Sequence, residues 1–170
     1  MSHPRREEVE EAFRQHWTVG SLEERWAQWP DRLTPDVRYV EHVFGEMSGR
    51  EAVRAWITEL MAVRADVHAV LDWYLIKDRR VVLNMTNRYY NPDPVGAPFD
   101  FPGLTILEYA GDGLFGYQED YWCVRTSKVA HAAFTAALER CGGRGLDGGR
   151  LERLEEQRRA GTEAVFARGG

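Results

Sequence analysis

Between Val67 and Cys123 the chain reads as four runs of alternating β-branched and aromatic residues: Val67 to Ile76, Val81 to Tyr90, Phe99 to Tyr109 and Leu114 to Cys123. A polar turn, Lys77-Asp78-Arg79, separates the first two, and Gly111-Asp112-Gly113 separates the last two. The middle connection, Asn91 to Pro98, holds three prolines that could not sit inside a ladder. Strands joined this closely run as hairpins, because parallel neighbours need a long crossover. An antiparallel sheet is therefore fixed first, and something in the rest of the chain must cover one of its faces.

The flanking segments supply that cover. Val9, Ala12, Phe13, His16 and Trp17 mark one face of a helix over about Arg5 to Thr18. His16 falls on this stripe and reads first as a hydrogen-bonded core histidine. Ser21 and Glu24 have capping-box spacing, which predicts a short second helix through Leu22, Arg25, Trp26 and Trp29 up to Pro30. After a turn at Leu33-Thr34-Pro35-Asp36, Val37 to Phe44 reads as a strand of undecided burial. A second capping box, Ser48 to Glu51, opens a helix carrying Ala52, Val53, Trp56, Ile57, Leu60 and Met61. Ser127 is placed to cap a further helix with Val129, Ala130, Ala133, Phe134, Ala137, Leu138 and Cys141 on its face. Helices gathered against a mostly antiparallel sheet make the fold α+β. The division expected is a domain over residues 1–141, then a Gly-rich hinge and charged helical tail over 142–170, solvated or packed on a partner.

Charge and motifs exclude several functions. Twenty-two Lys and Arg against 27 Asp and Glu leave a net charge of −5, so no nucleic-acid partner is expected. No signal peptide follows Arg5 and Arg6, and no apolar run spans a bilayer, which predicts a cytoplasmic protein without membrane contact. Cys123 and Cys141 form no CxxC pair and read as small buried or half-buried side chains. His3, His16, His42, His68 and His131 show no HxH, HxxxH or HExxH spacing, so no metal is expected. Glycine-rich phosphate loops and the GxSxG motif are absent, and no cofactor is called for.

The last strand carries the chemistry. Gln118, Asp120 and Trp122 share one face, while Tyr117, Glu119 and Tyr121 share the other. One acid therefore points inward, and alternation alone leaves open which. A carboxyl beside Trp in an apolar hollow would have its pKa raised toward the range useful for proton transfer.

Val40-Glu41-His42-Val43-Phe44-Gly45, followed by Gly49-Arg50-Glu51-Ala52-Val53 and by Asp120-Tyr121-Trp122, resembles the SnoaL-like group of the nuclear transport factor 2-like superfamily. The resemblance covers about Glu8 to Val124. It implies a strongly curved sheet closing with the helices around an apolar pocket, a default site for a small hydrophobic molecule. It turns Asp120, His42 and Trp122 inward, with Gln118, Phe44 and Val40 beside them, and adds Asn87, Met85 and Thr105. Two related chemistries lack their parts here. Ketosteroid isomerases carry an aspartate where this chain has His42, a tyrosine where it has Phe13 and an aspartate near Thr105. Limonene-epoxide hydrolases use an Asp-Arg-Asp set, of which Asp120 matches one member and Asn87 and Met85 replace the others.

SnoaL-type cyclases need only an acid/base residue beside a carbonyl. The resemblance therefore implies a cofactor-independent isomerase, cyclase, dehydratase or hydrolase, with Asp120, His42 and Asn87 catalytic and Val40, Phe44, Met85, Thr105, Gln118 and Trp122 holding the substrate. The alternative is a ligand-binding or interaction protein built on the same pocket. Tyr117, Glu119 and Tyr121 on the outer face, where many relatives pair, imply a homodimer.

Overall fold

A computed structural model describes residues 4–169; His3 lies outside the described residues. Six strands form one mixed sheet in the order β2-β1-β6-β5-β4-β3. The four predicted hairpin strands are β3 (Val67–Lys77), β4 (Arg80–Tyr89), β5 (Phe99–Gly111) and β6 (Leu114–Trp122). β1 (Leu33–Glu41) pairs parallel to β6, and β2 (Gly45–Ser48) folds back antiparallel on β1. Helices α1 (Arg6–Trp17) and α2 (Arg50–Ala62) lie against one face. α3 (Val124–Arg140) follows β6, and α4 (Gly148–Arg168) closes the chain.

The prolines sit where the sheet asks nothing of their missing N–H. Leu33 to Asp36 belongs to β1 instead of forming a turn. β2 begins pairing only at Arg38, and the register with β6 slips between Leu33 and Arg38, so Pro35 meets no ladder on either side. Pro102 similarly pairs with β4 just beyond the end of β6.

The two capping boxes do not form. α1 runs into one wide turn, Thr18–Leu22, closed by Glu23 N–H donating to Thr18 O at 2.9 Å. Glu24 then takes φ +54°, which no α-helix admits, and its carboxylate receives His68 Nδ1 at 2.8 Å and Arg158 at 3.1 Å. The predicted second helix is replaced by turns and a 3₁₀ segment, Trp29–Arg32. At α2 the chain enters through Gly49 at φ +89°, and Ser48 makes no cap. α3 starts three residues before Ser127, which lies buried in its first turn with its N–H on Cys123 O. Cys123 is exposed at that helix start and Cys141 half-buried, so the buried reading fails for Cys123.

The main core joins α1, α2 and the concave sheet face through Val9, Phe13, Leu33, Val37, Val53, Tyr74, Val81, Leu107 and Phe115. α3 seats Ala130 and Phe134 on Tyr89 and Phe101 in a smaller cluster. α4 is solvated on one side and buries Arg158, Thr162, Val165 and Phe166 on the other. It packs on β3, placing Phe166 5.6 Å from Phe13 and 5.5 Å from Tyr74 between ring centroids. Burying one such ring contributes about 2 kcal/mol. Arg158, 4 % exposed, donates to the carbonyls of Ser21 and Ala69 and to Glu24, so the last helix is bonded to the turn after α1. Among the described residues no helix is long and apolar enough to cross a membrane.

Candidate active site

A cavity of about 200 Å³ opens between the concave sheet face, α2 and the wide turn after α1. One water needs only ~15 Å³ on this scale, so the space suits a compact organic molecule. Asp120, Gln118 and Trp122 on β6, Thr105 on β5, Met85 and Asn87 on β4, and Phe44 after β1 all line it. Phe44 stands at the mouth, 48 % exposed, 5.9 Å from Trp56 and 6.2 Å from Trp122. The Asn87 side chain forms no hydrogen bond among the described residues, which leaves its amide uncommitted.

His42 and Val40 are on the other face. β1 presents Leu33, Val37, Tyr39 and Glu41 to the interior, so Arg38, Val40 and His42 point outward. His42 hydrogen-bonds Glu119 at 2.8 Å and stacks on Tyr121 at 4.4 Å. Both faces of β1 carry an ionisable residue: Arg38 turns outward and pairs with exposed Glu46, whereas Glu41 turns inward, where Trp122 Nε1 and the N–H groups of Val43 and Phe44 supply its hydrogen bonds. The side chain opposite Asp120 is therefore Glu41, directly paired with it across β1 and β6 and only 3 % exposed. Glu119 stays outside, as expected, where Tyr121, Tyr117 and His42 donate to it and pull its carboxyl down to about 2.

Asp120 is the best-held group in the cavity. Thr105 Oγ1 donates to Oδ1 at 2.6 Å, Tyr39 Oη donates to Oδ2, and Gln118 Nε2 reaches both oxygens at 3.2 and 3.3 Å. Burial raises the Asp120 pKa and outweighs these three donors, which favour the ionised form; the charge of Glu41 raises it further. Burial likewise holds the Tyr39 phenol well above its ordinary value, so it remains an O–H donor.

Gln118 passes the network on to His16, whose Nε2 lies 3.1 Å from Gln118 Oε1. Because the Gln118 amide N–H₂ serves Asp120, its oxygen accepts, and His16 Nε2 carries the proton. Burial drops the His16 pKa to about 4, so the ring is neutral at neutral pH, with Nδ1 unpartnered. Trp17 Nε1 is also buried without a partner at the cavity wall. Glu41 accepts from Trp122 Nε1 on one oxygen and from the N–H groups of Val43 and Phe44, both at 2.7 Å, on the other.

Sequence reasoning thus missed Glu41, Tyr39 and His16 as cavity residues. For the first two the strand gives no decisive signal, because Arg38 lies on one face and Glu41 on the other. For His16 no signal separates a core position from a cavity wall. No cluster of three or more potential metal-binding side chains occurs among the described residues.

A family profile described as "SnoaL-like domain" matches residues 9–115. Among solved structures, an LEH-like epoxide hydrolase of M. tuberculosis superposes with a TM-score of 0.59 at 18 % identity, covering 79 % of this chain and 97 % of that one. A candidate SnoaL-like polyketide cyclase from Jannaschia sp. CCS1 gives a TM-score of 0.55 at 20 % identity, covering 76 % and 96 %. A hypothetical protein with a ketosteroid isomerase-like fold from Catenulispora acidiphila DSM 44928, in complex with trimethylamine, gives 0.55 at 18 %, covering 68 % and 88 %. At these identities the likeness establishes the fold. Among curated proteins none matches this chain significantly.

Proposed function

The chain belongs to the SnoaL-like domain family, and from that premise we propose that it is a cofactor-independent acid/base enzyme acting on a small hydrophobic carbonyl compound. Asp120 is the group that moves the proton. The observation that carries the reading is an inward-facing carboxyl, fixed by Tyr39, Thr105 and Gln118, whose pKa burial raises at the wall of an apolar cavity. A carboxyl so placed is a stronger base than a free one and can take a proton from carbon and return it.

The step balances within the cavity. Ionised Asp120 takes a proton from the carbon beside the carbonyl, the C–H bond breaks, and its electron pair moves onto the carbonyl oxygen. The oxygen then needs a donor, and Asn87 and the unpartnered Trp17 Nε1–H are the uncommitted ones at the wall. Return of the proton from Asp120 to another carbon gives an isomer; attack of the enolate carbon on a second carbonyl, whose new alkoxide takes the proton from Asp120, gives a ring; cleavage of a β C–O bond, with the Asp120 proton leaving on the hydroxyl as water, gives dehydration. Glu41 stands where His42 was expected, and its charge adds to the burial that raises the Asp120 pKa.

One observation favours binding without chemistry: the three donors on Asp120 already satisfy both its oxygens. The two readings separate on solvent-deuterium exchange into a panel of small ketones and enones, followed by mass spectrometry. Exchange by the native chain and its loss in Asp120→Asn, with an unchanged circular-dichroism spectrum and retained ligand affinity, supports catalysis. Exchange that persists in Asp120→Asn removes Asp120 from the proton-transfer role. No exchange by the native chain favours the binding protein.

A further inference from the structure

The charges around the cavity do not balance. Glu41 and Asp120 face each other across paired strands, and every hydrogen bond either one accepts comes from a neutral donor. Among the described residues neither forms a salt bridge. Arg38 and Arg88, the strand arginines nearest in sequence, are committed to Glu46 and Asp100 at the outside. Arg64 is the single Lys or Arg at the cavity wall among the described residues; it sits past the end of α2 and forms no salt bridge with either carboxyl, so the wall carries one cationic side chain against two acidic ones.

The walls are rich in indole rings. Five of the six tryptophans in the chain, Trp17, Trp26, Trp29, Trp56 and Trp122, line this one cavity, and the sixth, Trp73, is 42 % exposed elsewhere. The face of an indole ring is its negative side and attracts cations more strongly than any other side-chain ring. Two carboxyls and five indoles surround this space, and a neutral ligand that engaged Asp120 would still leave Glu41 without a cationic partner.

We infer that the molecule bound in this cavity carries a cationic nitrogen: a compact tertiary or quaternary ammonium group on an apolar body, set against Glu41 and Asp120 and enclosed by the tryptophans. The proposal rests on reading this cavity as the substrate site. It adds a charge to the substrate class, since an aminoketone would place its ammonium against Glu41 and its carbonyl toward Asn87. A bound cation also changes the proton chemistry, because it stabilises ionised Asp120 and so favours the base over the acid.

Choline and 3,3-dimethylbutan-1-ol share shape and differ in charge, and calorimetric titration of each into the full chain tests the point. Choline should bind at least tenfold more tightly than the alcohol. Glu41→Gln, which keeps the side-chain volume, should cut that preference at least threefold, and Trp56→Leu at the mouth should do the same with the carboxyls intact. Equal binding, tighter binding of the alcohol, or no binding of either overturns the cationic assignment. Deuterium exchange into neutral ketones is read independently, so the proton-transfer reading stands or falls on its own. Choline preference that survives in both variants would also overturn the assignment, because the charge would then be read elsewhere.

Discussion

Lowering the pH from 7 to 5 should destabilise this fold through one side chain, His16. Its ring is buried between Trp29 and Phe115, at 5.1 and 5.4 Å between centroids, and burial takes its pKa from 6.5 to about 4. The unfolded chain therefore binds a proton that the folded chain refuses. The contribution is fully present above pH 6.5 and is lost as pH falls toward 4, since protonation then favours the unfolded state. A gap of this size amounts to about 3 kcal/mol when complete and about 2 kcal/mol between pH 7 and 5. Asp120 works in the opposite direction, because its raised pKa makes protonation favour the folded state as pH falls. The measurement must therefore compare chains that both keep Asp120. Urea unfolding of the native chain and of His16→Gln at pH 7 and pH 5 does so. With a denaturant slope of roughly 2 kcal/mol per molar, the native midpoint should fall about 1 M further than that of the variant. Parallel curves would refute the argument, as would a proton-NMR titration that places His16 near 6.5.

Other outcomes follow from the same geometry. Tyr39→Phe removes a donor to ionised Asp120, so the acid limb of any pH–rate profile should move upward; an unmoved limb would mean the two groups are not coupled in solution. Glu41→Gln should change that profile, while His42→Asn, altering only the outer face, should leave it in place; the reverse pattern would reject the inward Glu41. Phe166→Ala, which opens the contact with Phe13 and Tyr74, should cost about 3–5 kcal/mol in denaturant unfolding, and a loss below 1 kcal/mol would mean that α4 is not seated there. Leu75, 59 % exposed beside Trp73 on the outer side of β3, makes Leu75→Arg a probe of the homodimer expected from that face. Sedimentation of the native chain as a monomer at micromolar concentration would reject the dimer.

The hairpin strands, α1 and α2 were legible because each carries a period that nothing overrides. The second helix was not. Its capping residues exist, but Glu24 is drawn into an ion pair with Arg158, which lies 134 positions away and which no local pattern announces. β2 was missed because four residues are too few for alternation to register. In the site, the resemblance placed Asp120, Trp122, Gln118, Thr105, Met85 and Asn87 where the structure has them, all on the antiparallel strands. It failed by one residue on β1, since a single step of register exchanges the two faces of a strand. His42 and Glu41 traded places on that step. The tryptophan wall was invisible for another reason: its members come from α1, the loop before β1, α2 and β6, and only the closed chain brings them together.

The bond network of Arg158 bears on how this sequence can vary through descent. Ser21, whose carbonyl it holds, belongs to the turn that forms a wall of the cavity, and Glu24 and His68 complete the set. A substitution at Glu24 that a homologue without the last helix would tolerate would here strand a buried guanidinium, and loss of Arg158 would strand Glu24 in turn. Positions 24, 68 and 158 should therefore be inherited as a block. Ligand preference should then drift with changes in the last helix, even though that helix never touches the ligand.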